Sequence, residues 1–507
     1  MHCIHPPIDS QRLFNVAQTR TIEQTALAGL PPHTLMCRAG LATAQLALAI
    51  APHANRIWVA AGPGNNGGDG LEAAALLTQW GKRVTVSWVG DVAALPADAK
   101  EAWAQALASG VHVEADPLTP PESPDLVIDA LLGIGASRAP TEPLAALIHR
   151  INTLACPVLA VDLPSGLHAD TGQPLGETCV VADHTLALLT LKPGLFTGAG
   201  RDHAGTVWLD TLGVGRDAAT PCAWLAGNDS IALPARRHAQ HKGSFGDVVV
   251  VGGAVGMTGA ALLAARAAHA AGAGRVLVNL LGGPTLTHDP LRPELMFREL
   301  WPGTDVRALK QTTVVCGCGG GDAVRAPLPR LLSQVPRLVL DADALNAIAS
   351  DVALQALLQT RAARGLTTVL TPHPLEAARL LGNDTASVQA DRLVAARALA
   401  DRYRCTVLLK GSGTVIASPC HTPSINPTGN ASLASAGTGD VLAGWLGGLW
   451  PQWAAALPAA ENAVVAHAVA RAAAFMHGAA ADSIAAGPLR AADMIERLHA
   501  QRRAASR

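Results

Sequence analysis

The chain has 507 residues, more than one ordinary hydrophobic core accommodates, so two domains of roughly 200 to 280 residues are expected. Lys+Arg number 38 and Asp+Glu 39 with no long block of like charge, which argues against nucleic acid and a membrane surface as partners. Aromatics at 3% give no base-stacking platform, whereas abundant Ala and Gly suit helices lying close on a sheet.

The nine cysteines are scattered, without a C-x-x-C, and Cys316 and Cys318 are too near each other for a zinc knuckle. Reduced thiols in a cytoplasmic protein are expected. The N-terminal MHCIHPPIDSQR lacks a basic region followed by an apolar run, so no signal peptide is expected. Two uncharged stretches, 248–265 and 441–460, contain several glycines in the first and Pro451 and Pro458 in the second. Each is expected to be soluble elements broken by turn residues rather than a membrane span.

Strand-like runs come first at IWVAAG (57–62), RVTVSWVG (83–90), DLVIDALLG (125–133), PVLAVDLPSG (157–166), HTLALLTLKPG (184–194) and TVWLDTLG (206–213). Several are nearly continuous in Val, Ile and Leu, as strands buried on both faces should be. Helical stretches such as 71–80 and 97–108 fill the gaps, which predicts a doubly wound α/β domain with a mainly parallel sheet. GVGRDAATPCAW (213–224) breaks the pattern and reads as a linker. A second series follows at 247–253, 274–282, 312–321, 337–345, 367–374 and 405–418. Two tandem α/β domains are expected, at 1–218 and 225–507.

After the first strand, GPGNNGGDG (62–70) satisfies a dinucleotide fingerprint through Gly62, Gly64 and Gly67, with Asp91 at about the right distance. That fingerprint leaves Asn65, Asn66 and Asp69 unexplained. Asp129 ends the strand LVID, and GIGASRA (133–139) follows it; Asp162 ends VLAVD and leads to Ser165. Carboxyl ends of strands line the ligand crevice of an open α/β sheet, so three crossover units aim Asn, Asp and Ser oxygens at one place. Asp162 or Ser165 alone would read as a helix cap. Asn66, Asp129 and Ser165 are hard oxygen donors with one formal charge, which suits a weakly held monovalent cation better than zinc or calcium.

Taken with LMCRAG (35–40), GPGNNGGDG, DALLGIG (129–135), VDLPSG (161–166) and TLKPG (190–194), the first domain resembles the epimerase half of the bifunctional NAD(P)H-hydrate repair enzymes, the Rossmann-like YjeF-N fold. The resemblance implies that hydrated NAD(P)H is held by Asn65, Asn66, Gly67, Gly68 and Asp69, by Gly133, Ile134, Gly135, Ala136, Ser137, Arg138 and Ala139, and by Asp162. It implies potassium on Asn66, Asp129 and Ser165. Asp162 would be the acid–base residue that inverts C6 of the hydrated nicotinamide. Cys37 departs from the family, where a glutamate commonly stands, and little consequence is expected.

In the second domain SAGTGDVLAG (435–444) places a small-residue turn before a helix that starts near Asp440. Free backbone N–H groups there would receive a phosphoryl group in transfer, and Asp440 could take the proton of an attacking hydroxyl. A capping Asp after a Gly turn is the plain alternative. KGSGT (410–414) follows a strand as a hairpin turn; CGCGGGD (316–322) is another Gly-rich turn; LDADALN (340–346) and TPHPLEAARLL (371–381) put acids and His373 at strand ends. Each alone would pass for a loop or cap. Together they resemble the family's other half, the ribokinase-like ADP- or ATP-dependent NAD(P)HX dehydratase. The resemblance implies Ala260, Gly319, His373 and Asp440 on the hydrated dinucleotide. Lys410, Gly411, Ser412, Gly413, Thr414 and Gly439 would hold the adenine nucleotide, with magnesium, and Asp440 would be the base. Cys318, where Pro is usual, and Leu375, where Gly often stands, are departures expected to alter loop geometry. The partners implied are hydrated NADH or NADPH and ADP or ATP, with room for a homo-oligomer. The rival reading is a small-alcohol kinase fused to a non-catalytic binding domain.

Overall fold

The computed structural model describes residues 1–4, 9–118, 121, 123–228, 236–283, 286–298, 312–457, 461–484 and 487–504. Contacts divide the chain into two compact units, chiefly Gln11–Trp224 and Leu225–Arg507. Ser10 belongs with the second unit, where its Oγ accepts from Gly227 N–H at 3.1 Å and from Arg471 Nη2 at 2.8 Å.

The first unit is built on β1 (Arg56–Ala61), β2 (Arg83–Trp88), β3 (Leu126–Ala130), β4 (Val158–Val161), β5 (His184–Leu188) and β6 (Thr206–Asp210). These run parallel in the order β6-β5-β4-β3-β1-β2. Short strands flank them, His2–Cys3 antiparallel to β6 and His112–Val113 parallel to β2. The helices are α1 (Val16–Leu27), α2 (Thr34–Ile50), α3 (Asn65–Gln79), α4 (Ala97–Ala108) and α5 (Leu144–Asn152). Successive side chains of β1 enter opposite cores: Ile57, Val59 and Ala61 join one, Trp58 and Ala60 the other. That two-sided burial is why the strand reads as a continuous apolar run. The chain reverses direction across the sheet between β1 and β3, which opens a crevice at their carboxyl ends.

The glycine-rich segment after β1 is less of a loop than its sequence suggests. Helix α3 begins at Asn65, so Asn65 to Asp69 are its first turn and a half. A side chain at Gly67 would put Cβ 1.9 Å from Gly62 O, so the turn closes only with glycine there.

The second unit carries β7 (Asp247–Gly252), α6 (Thr258–Ala270), β8 (Arg275–Leu280), β9 (Thr312–Cys316), β10 (Arg337–Leu340), β11 (Thr367–Leu370), α7 (Pro374–Leu381), β12 (Thr406–Leu409), β13 (Val415–Ala417), α8 (Thr438–Ala456), α9 (Asn462–Asp482) and α10 (Ala491–Ala504). The order β8-β7-β9-β10-β11-β12 is parallel, and β12 turns through 410–414 into antiparallel β13. Val248 and Val250 of β7 face one core, Val249 and Val251 the other.

Helix α8 corrects the expectation of broken elements at 441–460. It runs through Pro451 to Ala456. Proline removes one helical hydrogen bond, but Trp445, Trp450 and Leu449 of this helix are buried, and their packing outweighs that loss. Pro458 lies outside the described residues. Among the described residues one helix, α9, is long and apolar enough to cross a membrane; it is the kind of helix a core produces, with 72% of its apolar window buried.

Candidate active sites

The first site is a cleft of about 490 Å3 at the β1/β3 switch point. Pro63, Gly64, Asn65, Asn66 and Asp69 line it from the start of α3, Leu131 to Ala136 from the loop after β3, and Asp162 from the end of β4. Ser137, Arg138 and Ala139 continue that loop, exposed and outside the lining. Gly67 and Gly68 are buried and serve the helix start: a Cβ on Gly68 would meet Met36 at 2.7 Å.

Asp162 sits in the left-handed region, at φ 67°. A non-glycine residue there is held against its preference, which is common where a side chain must be aimed. Lys192 Nζ and Leu188 N–H both donate to its Oδ1, and Lys192 also donates to Leu188 O at 2.8 Å. Lys192 is fully buried, so this is an internal ion pair at the edge of a cleft. Burial, then the Asp162 charge, pushes the Asp69 carboxyl well above the ordinary range. Burial and Asp162 also raise Glu23 of α1, which lines the same cleft. The site therefore holds an ion-paired carboxylate beside acids that favour the protonated form.

Asp129 and Ser165 meet behind this cleft. Ser165 Oγ donates to Asp129 Oδ1 at 2.6 Å, and Ser165 N–H to Oδ2 at 2.8 Å. Burial pushes Asp129 up to about 6 despite those bonds. Asn66 Nδ2 is buried with no hydrogen-bond partner among the described residues, and Asn66 Oδ1 stands 3.2 Å from where a Cβ on Gly133 would lie.

In the second unit, Gly437 enters α8 at φ 87°, and Asp440 occupies the helix's first turn. Burial, then the Asp341 charge, pushes Asp440 up to about 6. Lys410 Nζ donates to Asp341 Oδ1 at 2.7 Å, and Thr371 Oγ1 donates to the same oxygen at 2.9 Å. Burial lowers the Lys410 ammonium, but the Asp341 and Glu376 carboxylates outweigh it and hold the group above its usual value. Lys410 Nζ lies 3.4 Å from the Cβ position of Gly439, which puts a fixed cation at the positive end of α8. Arg392 Nη2 donates to Leu409 O and Lys410 O and so pins the 410–414 turn, where Gly411 has φ 134°. Gly319 and Ala260 are neighbours, since a Cβ on Gly319 would lie 2.9 Å from Ala260 Cβ.

His373 is half exposed and N-caps α7, its Nδ1 accepting from Leu375 and Glu376 N–H. Pro372 O accepts Lys410 N–H at 2.9 Å, which ties this cap to the 410–414 turn. Leu375 lies in the first turn of α7, not in a loop, with its side chain exposed. Cys318 matters more than a loop substitution: its buried thiol hydrogen-bonds Asp440 and lies within 4.8 Å of Asp341 and Asp440 ligand atoms. Sequence reasoning missed Lys192 and Glu23, which lie far in sequence from the acids they serve; the TLKPG motif was the available signal for the lysine.

The family model described as YjeF-related protein N-terminus matches residues 32–194, and the one described as NAD(P)H-hydrate dehydratase matches 248–498. The chain is 38% identical to the bifunctional NAD(P)H-hydrate repair enzyme of Escherichia coli, over 92% of this chain and 87% of that one. It is 36% identical to that of Coxiella burnetii, over 90% and 94%. This chain belongs to the bifunctional NAD(P)H-hydrate repair enzymes. It is also 37% identical to the Leishmania major repair enzyme, over 96% and 92%. Among solved structures, the ADP/ATP-dependent NAD(P)H-hydrate dehydratase of Bacillus subtilis, co-crystallised with ATP and Mg2+, is 26% identical with TM-score 0.41, over 52% of this chain and 92% of that one. As a repair enzyme the chain joins an epimerase, Rossmann-like YjeF-N half to a ribokinase-like dehydratase half, and reverses the hydration of NADH and NADPH. The kinase-plus-scaffold reading is not favoured.

Proposed function

We propose that residues 1–218 epimerise hydrated NAD(P)H at the cleft of Asp162, and that residues 225–507 dehydrate the S epimer at Asp440. The supporting observation is that each half owns a buried acid with its own lysine nearby: Asp162 with Lys192, and Asp440 beside the Asp341–Lys410 pair. In the first cleft, Asp69 protonates the C6 hydroxyl, water leaves, and the ring nitrogen lone pair stabilises the cationic ring. Water then adds to the opposite face and gives its proton to Asp162 Oδ2, the oxygen not used by Lys192. Asp69, whose carboxyl burial and then the Asp162 charge push up, is the acid of the pair, and Asp162 is the base. Asn65, Asn66 and the 133–139 loop hold the dinucleotide, with the N-terminus of α3 toward its phosphates.

A potassium ion would be held by Asn66, Asp129 and Ser165. The oxygen donors fit: Asn66 offers Oδ1 beside Gly133, and the Asp129 carboxyl is buried with Ser165 and Leu131 as its partners among the described residues. Such an ion supplies positive charge beside an anionic substrate.

In the dehydratase, Asp440 takes the C6 hydroxyl proton as that oxygen attacks the terminal phosphorus of ATP or ADP, which enters with magnesium as counter-ion. Phosphate then leaves C6, and loss of the C5 proton restores the dihydropyridine. Lys410, Gly411, Ser412, Gly413, Thr414 and Gly439 hold the nucleotide; Ala260, Gly319 and His373 face the hydrated dinucleotide.

The test uses both epimers of hydrated NADH with magnesium and nucleotide, following recovery of the reduced-nicotinamide absorbance and chiral chromatography of the residue. Asp440→Ala should restore no NADH yet equilibrate the epimers. Asp162→Ala should consume one epimer normally and slow interconversion by ~10²–10⁴-fold. Unchanged consumption of both epimers by Asp162→Ala would remove the epimerase assignment of that residue.

A further inference from the structure

Cys37 lies in the first turn of α2, and His33 is the residue that caps that turn, at φ 64°, its carbonyl oxygen accepting from Cys37 N–H at 3.0 Å. His33 Nε2 pairs with Glu72 Oε1 of α3 at 2.8 Å, and both side chains are more than nine-tenths buried. The other ring nitrogen, Nδ1, is buried with no hydrogen-bond partner among the described residues, and Glu101 Oε2 of α4 is 4.0 Å from it. One ligand atom each from His33, Cys37 and Glu72 lies within 4.8 Å of the others. An unpaired buried imidazole nitrogen is costly unless something occupies its lone pair or takes its proton.

We propose that His33, through Nε2, Cys37 and Glu72 bind one borderline-soft divalent cation, of the zinc or cobalt type, with Glu101 facing the other ring nitrogen, Nδ1, as an outer partner. The nitrogen–sulfur–oxygen set selects such ions over magnesium, which wants oxygens alone. Three carboxylates, Glu72, Glu101 and Asp98, act on Cys37. A dication reverses that field and takes the thiolate. Tetrahedral zinc, with bonds of about 2.0 to 2.3 Å, sets donor atoms about 3.5 Å apart. The His33 Nε2 and Glu72 Oε1 pair, at 2.8 Å, opens to admit the ion, and the exposed Cys37 side chain moves onto it. The scaffold is fixed by Gly40, where a Cβ would lie 2.2 Å from Glu72 Cβ, so α2 and α3 cannot drift apart. The ion clamps α2 to α3, whose first turn and a half carries Asn65, Asn66 and Asp69.

The test titrates untagged, reduced, metal-stripped full-length protein with Co2+ in the absence of oxygen. One equivalent should bind with tetrahedral visible bands and a thiolate-to-cobalt charge-transfer band; Zn2+ should displace it and excess Mg2+ should not. Cys37→Ser should abolish the charge-transfer band, and both Cys37→Ser and His33→Asn should weaken binding at least about tenfold. Circular dichroism verifies that the variants fold. Cobalt lost from the parent protein on gel filtration would overturn the site. So would a charge-transfer band that survives Cys37→Ser, which would place the ion on another thiol such as Cys318. Unchanged affinity in folded His33→Asn would reduce it to a lone surface thiol and overturn it as well.

Discussion

Asp440 and Asp162 are both acids placed after glycine or strand-end turns, but their surroundings differ. Asp440 is raised to about 6 by burial and then by Asp341, with Asp343 adding to the rise and Lys410 opposing it. A base works when ionised, so dehydratase turnover should climb as pH rises through about 6 and level off above it. Removing a nearby negative charge lowers an acid's pKa. Asp343→Asn, which keeps an acceptor for Gly321 N–H, should therefore move that limb to lower pH. Turnover profiles of the two proteins at saturating substrate check this; coincident limbs would mean that Asp440 is not the titrating base. At this scale the sequence made the acids legible, because glycine turns and strand ends announce themselves locally. Their partners were not. Lys192 reaches Asp162 across 30 positions and Lys410 reaches Asp341 across 69, and no local pattern encodes a pairing at such separations.

Elements were legible where apolar runs were long, as in β1, β3 and β7, and less so where helices begin. Helix α3 starts inside the glycine-rich segment because Gly67 and Gly68 lie against Gly62 and Met36, a tertiary fit that outweighs their poor helix propensity. Helix α8 continues through Pro451 for a similar reason: its buried face packs against α6. That packing is close. A Cβ on Gly444 would lie 2.0 Å from Ala264 O, and backbone cannot move aside as a side chain can. Gly444→Ala should destabilise the second unit by about 3 kcal/mol or more, in the upper range for overpacking. Gly259, in the first turn of α6, has open space around its Cβ position. Gly259→Ala should be neutral or stabilising by up to about 1 kcal/mol, since alanine restricts the unfolded chain and favours helix. Urea denaturation of both variants, followed by tryptophan fluorescence, measures the contrast. Equal midpoints would show that α6 and α8 are not held at the separation described.

For the whole molecule, the cores are separate. The clusters around β1 and β3 draw on residues up to Leu212 and Val214, and those around β7 and β9 on residues from Val248 onward. A unit with its own core can fold alone. The composition break read at 213–224 ends where the units divide, at Trp224 and Leu225, though Ala223–Leu225 is a strand and not a linker; the placement of Ser10 with the second unit was invisible, because a single serine carries no pattern. Two polypeptides covering 11–224 and 225–507 should each fold and keep one activity. Given both epimers and nucleotide, an equimolar mixture should recover NADH in two phases. The first consumes the S epimer at a rate set by the second fragment. The second is limited by interconversion and should scale with the concentration of the first fragment. Diffusing substrate makes the intact chain and the mixture equal in that slow phase at equal concentration. A faster slow phase in the intact chain would show direct transfer between halves, and failure of either fragment to fold alone would end the reading of two independent units.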